Sequence, residues 1–211
     1  MPQNILEKVT EYFLKFPGIG PKQARRFAYF LSATDEKFVK DLSSILIDLK
    51  NSVKRCLECY RFFEAKEGAS EICGLCSDSS RDSSLLLVVE KDVDFENIER
   101  SRIYNGLYFI LGGVIPLAET EPTSRIRAKE LFNIVQKKAK LPEGSNLREV
   151  IIATSATIEG ENTVQYIKKI LEPLASRFNL KISVLGRGLS TGTELEYSDS
   201  STLSSALKNR G

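Results

Sequence analysis

The four cysteines of the 211-residue chain fall within 21 residues, as Cys56-Leu57-Glu58-Cys59 and, 13 residues further on, Cys73-Gly74-Leu75-Cys76. A C-x-x-C turn sets two thiolates on one side of a tight knuckle, and two facing knuckles make a tetrahedral S4 metal site. Gly74 suits the turn inside the second knuckle, and Lys54, Arg55 and Arg61 stand near enough to offset the double negative charge of a zinc–tetrathiolate centre. Two disulfides, or four separate core thiols, would use the same residues. The crowding of every cysteine into one short segment and the lack of an export signal weigh against both. With four protein ligands no position remains for a water to be activated, so zinc, one ion per chain, is expected to be structural.

A second stretch could do chemistry of another kind. "KFPGIGPKQARRFAYFL", residues 15–31, places Pro17, Gly18, Gly20 and Pro21 between apolar runs, followed at once by Lys22, Arg25 and Arg26. Free backbone N–H groups at the start of a helix carry the positive end of its dipole, and small glycines let a phosphate come close. Lys22 and Arg26, one helical turn apart, would then hold neighbouring phosphates, positioning nucleic acid without reading its sequence. A plain αα-hairpin with a solvated cationic face fits the same residues.

Charge distribution bears on that choice. Net charge is only +2, yet residues 1–55 carry ten Lys and Arg against six Asp and Glu, while residues 56–82 carry three against six. The basic excess thus sits around the hairpin, as a local anionic partner requires. The chain has no histidine, which excludes Ser-His-Asp and Cys-His catalysis and every His-ligated metal site. Hydrophobic residues at 42% and charged residues at 27% are ordinary for a globular protein, and the longest apolar runs are too short to span a bilayer. The opening "MPQNILEKVTEYF" is amphipathic and carries acidic residues, unlike a secretory signal, so a cytoplasmic setting is expected.

The elements that position these residues follow from periodicity. Ile5, Val9, Tyr12, Phe13 and Phe16 predict an amphipathic helix over 4–15, broken by Pro17-Gly18. Gly20 is free to take positive φ, and Pro21 suits the first turn of the next helix. There Ala24, Phe27, Ala28 and Leu31 form a core stripe, while Lys22, Arg25, Arg26 and Tyr29 form a basic stripe on another face. A third helix with Phe38, Leu42, Ile45, Leu46, Leu49 and Val53 on one face is expected to complete a small bundle. The second half alternates strands ("SLLLVVE" at 84–90, "GLYFILGG", "EVIIAT" at 149–154, "KISVLG" at 181–186) with helical stretches running to about Arg100, over 125–139 and along "EGENTVQYIKKILEPL". Such alternation predicts a mostly parallel sheet, whose function gathers at the carboxyl ends of the strands. The fold class is therefore α/β: a helical N-terminal part, a four-cysteine finger, a Rossmann-like parallel sheet with helices, and a short tail.

The hairpin "FPGIGPKQARRFAYFL" resembles the helix-hairpin-helix motif of DNA-binding proteins, with its Pro-Gly-hydrophobic-Gly turn. Residues 84–175 resemble a Toprim domain, whose catalytic members hold magnesium with a glutamate after the first strand and an Asp-x-Asp-x-Glu-Gly-Glu motif later. Glu90 and Glu159-Gly160-Glu161 match that pattern, but the two aspartate positions are Ser155 and Thr157. Neither is anionic, and magnesium favours carboxylate oxygens, so the fold is expected without the reaction.

Over nearly its whole length the chain resembles the RecR family of bacterial recombination mediators. "CSDSSRDSSLLLVVE", "YNGLYFILGGVIPL", "ATSATIEGENT" and "GRGLSTGTELEYSDSSTLSSAL" carry that likeness. Departures are Ser190 and Thr191 in the tail, Asn162, and the loop "AETEPTSRIRAKEL". The tail has glycines but no G-x-x-x-x-G-K-[ST] nucleotide loop, so packing or oligomer contact is the expected role. The resemblance implies four parts: a helix-hairpin-helix region (1–54), the zinc finger (55–79), the Toprim domain (80–176) and a C-terminal strand, loop and helix (177–211). It implies a non-enzymatic, nucleoid-associated role in DNA repair, as a dimer or ring-like tetramer on single-stranded or duplex DNA. RecO, and in many bacteria RecF, would be its partners in loading RecA onto SSB-coated strands. DNA contact falls to Gly18, Gly20, Lys22, Arg25 and Arg26, zinc to Cys56, Cys59, Cys73 and Cys76, and partner contact to Glu90, Glu159 and Glu161. The rival readings are a metal-dependent Toprim nuclease or primase using Glu90, and a zinc-stabilised scaffold without direct DNA contact.

Overall fold

The computed structural model describes residues 4–65, 70–119, 121–186, 188–189, 192, 194–198 and 200–208; Ser190 and Thr191 lie outside them. The chain divides into two compact units, one ending at Val53 and the other starting at Lys54.

The first unit is helical. α1 (Ile5–Leu14) begins at Asn4, whose side chain accepts from the Leu6 N–H while Glu7 accepts from the Asn4 N–H, so two otherwise orphaned donors are satisfied. α2 (Pro21–Ala33) starts with proline, and α3 (Glu36–Ser52) is capped by Asp35, which accepts from the Phe38 N–H at 2.9 Å. α1 and α2 pack through an edge-on Phe13–Phe27 pair with ring centroids 5.5 Å apart, beside the buried Ala24 and Ala28. Small residues there let the helices approach closely.

Two expectations fail in this unit. Gly18, not Gly20, takes the left-handed conformation (φ 78°), while Gly20 is an extended N-cap (φ −87°, ψ 171°). The chain reverses one residue pair earlier because Pro17-Gly18 makes the turn by itself. Nor does α3 close a bundle. It meets α2 through Phe30 and Phe38, but Ile45, Leu46, Ile47 and Leu49 are all more than half exposed. The periodicity of α3 describes a face correctly without supplying anything in the unit to cover it.

β1 (Val53–Arg55) starts at the last residue of the first unit; it forms a two-stranded ribbon with β2 (Phe62–Glu64), and these strands and the one-turn α4 (Gly74–Ser77) frame the cysteines. The sheet follows: β3 (Asp82–Val89), α5 (Asp92–Ser101), β4 (Gly106–Ile110), α6 (Pro122–Arg125), α7 (Ala128–Ala139), β5 (Glu149–Ala153), α8 (Ile158–Phe178) and β6 (Lys181–Val184). The strand order is β4-β3-β5-β6, all parallel. β3 alternates its contacts: Leu86 and Val88 pack with α7 and α8 residues such as Leu131, Val135 and Ile167, while Leu87 and Val89 pack with Phe95 of α5. Burial on both faces is why this strand reads as a continuous apolar run. A left-handed Arg102 ends α5 and a left-handed Asn179 ends α8. After β6 the described tail holds a short turn at Leu195–Tyr197 and α9 (Ser200–Lys208). Among the described residues no helix is long and apolar enough to cross a membrane.

Candidate functional site

The hairpin brings its predicted residues together. The first hydrogen bond of α2 runs from the Ala24 N–H to the Gly20 carbonyl, so the N–H groups of Lys22 and Gln23 have no acceptor within the helix. Nothing lies within 4 Å of where a side chain would begin at Gly18 or Gly20, leaving the turn open to a ligand. Lys22, Arg25 and Arg26 are exposed and line a cavity of about 390 Å³ with Pro21 and Tyr29. None of the three cations is engaged in an ion pair among the described residues. A helix N-terminus, an open turn and three free cations on one face suit an anionic polymer.

The cysteines also converge. Their four Sγ atoms lie within 4.8 Å of one another, and Cys59 Sγ is 3.6 Å from Cys73 Sγ. That separation is far beyond a disulfide bond of about 2.05 Å. It is close to the ~3.8 Å edge of a thiolate tetrahedron built with bonds of about 2.3 Å. The Cys73 N–H donates to Cys56 Sγ at 3.3 Å, support that a thiolate ligand receives in a metal knuckle. Crowding also divides the thiols by acidity. The hydrogen bond from Cys59 pulls Cys56 down to about 5 and that from Cys56 lowers Cys73, whereas Cys59 and Cys76 are pushed up. Without a cation the four cannot all be thiolates, and a tetrathiolate metal resolves the conflict. This donor set is suitable for zinc.

Contacts unforeseen from sequence weld this knuckle to the sheet. The Cys59 carbonyl accepts from the Ile110 N–H at 2.8 Å. Tyr60, left-handed at φ 62°, packs on Phe109, and the Phe62 N–H donates to Asp92. Glu58, inside the first knuckle, lies 2.6 Å from Lys137 Nζ and 2.9 Å from Lys138 Nζ on α7. Burial raises the Glu58 carboxyl, but the two ammonium groups more than offset it and leave it below the ordinary range. Arg55 and Arg61 stack over Phe62 and Phe95.

At the carboxyl end of the sheet, β3 is followed by β4 on one side and, after a crossover, by β5 on the other, so a topological switch point lies between β3 and β5. Glu90 and Ser155 meet there. The Glu90 carboxylate, 8% exposed, accepts through one oxygen from both the Ser155 N–H (2.5 Å) and the Ser155 hydroxyl (2.6 Å). Ser155 Oγ is 3.3 Å from Thr157 Oγ1, and Thr157 caps α8 by accepting from the Gly160 N–H at 3.1 Å. Gly160 is required: a Cβ there would fall 2.0 Å from the Ser155 carbonyl oxygen. Glu159 and Glu161 are half-buried in the first turn of α8, where the helix dipole favours them. Among the described residues, the cysteines are the one acidic or thiol group that gathers around a metal position. The pairing of Glu90 with Ser155 was recoverable only once β3 and β5 were known to be neighbours.

An open helical hairpin, a four-cysteine knuckle and a parallel sheet with a Toprim-type carboxyl edge define a helix-hairpin-helix and Toprim protein. Family models agree along the chain: the RecR helix-hairpin-helix matches residues 6–50, the Toprim domain residues 84–186 and the RecR C-terminal segment residues 188–210. The recombination protein RecR of Chloroherpeton thalassium is 35% identical over 207 residues, covering 98% of this chain and 96% of that protein. Those of Dehalococcoides mccartyi and Phocaeicola vulgatus are each 36% identical, over 97% and 99% of this chain and 93% and 94% of their own. The chain belongs to the RecR family.

Proposed function

We propose that the chain is a non-catalytic mediator of recombinational DNA repair that grips DNA through its α1–α2 hairpin. The observation that carries this reading is the unpaired cationic face of Lys22, Arg25 and Arg26 beside the open Gly18–Gly20 turn. In this reading the 1–54, 55–79, 80–176 and 177–211 parts divide the work into DNA contact, metal-stabilised bracing, partner contact and tail. The cysteines hold one zinc ion, which fixes the knuckle against β4 and α7 and takes no part in chemistry. The crevice between β3 and β5 is a brace: neutral Ser155 and Thr157 stand where a magnesium site needs carboxylates, and Ser155 occupies Glu90.

The uncovered apolar face of α3 supports assembly into a homo-oligomer, in which several weak DNA patches add by avidity. Glu159 and Glu161 form the acidic surface offered to RecO, with RecF where present. Glu90 is too buried to touch a partner and contributes by holding the Ser155–Gly160 loop. The setting is the bacterial cytoplasm. The test is recombinase loading: RecA filament formation on SSB-coated single strands, with RecO and either wild type or Lys22→Glu/Arg26→Glu. Wild type is expected to accelerate filament formation and the double variant to fail while keeping its fold. Equal stimulation by both would overturn the reading.

A further inference from the structure

Tyr29 is the fourth member of the stripe that holds Lys22, Arg25 and Arg26, one turn beyond Arg26 on α2. It is 56% exposed, and among the exposed aromatic rings of the described residues it is the one that shares the face and the cavity of the three cations. Neither its hydroxyl nor its ring has a partner among the described residues: it takes part in no hydrogen bond, ring pair or cation–ring contact. It lines two cavities. One, of about 390 Å³, it shares with Lys22 and Arg26, and the other, of about 410 Å³, with Asn4 and with Leu6, Glu7, Thr10 and Glu11 of α1. Arg25 and Tyr29 line both. Tyr29 thus shares a cavity with all three cations, so a strand whose phosphates lie along Lys22, Arg25 and Arg26 passes within reach of its ring.

We propose that Tyr29 is a stacking platform for an unpaired nucleobase, so that the hairpin favours single-stranded over duplex DNA. This rests on the hairpin being the DNA site and adds the class of strand it takes. Lys22, Arg25 and Arg26 hold phosphates in any nucleic acid, whereas a ring face is useful only to a base that has left its own stack. Base–aromatic stacking is sequence-tolerant, as a mediator needs, and removing the ring weakens binding about tenfold per base held.

The chain has no tryptophan, so Tyr29→Trp places a single indole reporter at the site. The full-length protein would be titrated with an oligothymidylate and with an abasic oligonucleotide of equal length, which keeps the phosphates and removes the bases. Expected are quenching of the introduced indole by oligothymidylate but not by the abasic strand, and about tenfold weaker oligothymidylate binding in Tyr29→Ala with abasic binding unchanged. Tyr29→Phe should bind like wild type. Equal quenching by both strands, or equal losses on both in Tyr29→Ala, would overturn the stacking role. Lys22→Glu/Arg26→Glu separates the two readings. If it loses both strands while Tyr29→Ala loses neither, only the stacking role falls; if it binds both normally, the hairpin is not the site.

Discussion

At the carboxyl end of β3, both hydrogens that Ser155 can donate go to one oxygen of Glu90. The bond joins neighbouring strands across the crevice where related folds do their chemistry, and it depends on Ser155 being neutral. Ser155→Asp would set a second carboxylate against Glu90, and like charges at that distance destabilise each other. The variant is expected to melt several degrees lower and to recover partly in millimolar magnesium, whereas wild type is indifferent to magnesium; differential scanning calorimetry with and without the ion checks both. At the far end of the same loop, Gly160→Ala would drive a methyl group into the Ser155 carbonyl. Overpacking against backbone has no soft escape, so a loss of roughly 2 kcal/mol or more is expected in urea unfolding. Residue types at these positions were legible in the sequence as departures from a metal motif. Their hydrogen bonds were not, because they depend on which strands are adjacent.

Among the elements, those with a buried face could be placed from sequence. β3 and β5 show as apolar runs, and α2 shows its Ala24–Ala28 stripe, because burial leaves no freedom in residue type. α3 is the instructive failure: Ile45, Leu46 and Leu49 mark a face as apolar, yet periodicity does not say whether the same chain covers it. Replacing Ile45 and Leu49 by Asp should therefore spare the monomer's helicity by circular dichroism and lower the assembly's mass by light scattering. An unchanged mass would remove α3 from the oligomer interface. The cysteine knuckle was the most legible element, since all four cysteines fall within 21 residues as two C-x-x-C turns, the spacing of a tetrathiolate site. Its bonds to Ile110 and to Lys137 and Lys138 make it part of the sheet unit. Chelation, or Cys59→Ser, is thus expected to release about one zinc per chain and to lower the melting temperature of the sheet unit. Recovery of a full complement of disulfides by mass spectrometry would contradict the metal assignment.

For the whole molecule, a net charge of +2 conceals a strongly local field. The cations Lys22, Arg25 and Arg26 are few, exposed and on one helix face; under the proposed function a single protomer would therefore bind DNA weakly and assembly would multiply the contacts. The central claim is that this face grips the phosphate backbone and that nothing in the molecule cuts it. Fluorescence anisotropy of labelled DNA, titrated at several salt concentrations in magnesium and followed by gel analysis of the recovered strand, tests it most directly. Wild type should bind with affinity falling steadily as salt rises. Lys22→Glu/Arg26→Glu should bind at least about tenfold more weakly, with a salt slope lower by roughly two counterions per protomer engaged, and the DNA should be intact in both. Unchanged binding by the variant would remove the hairpin from the DNA interface, and cleaved DNA would mean that the Glu90 crevice is a catalyst after all.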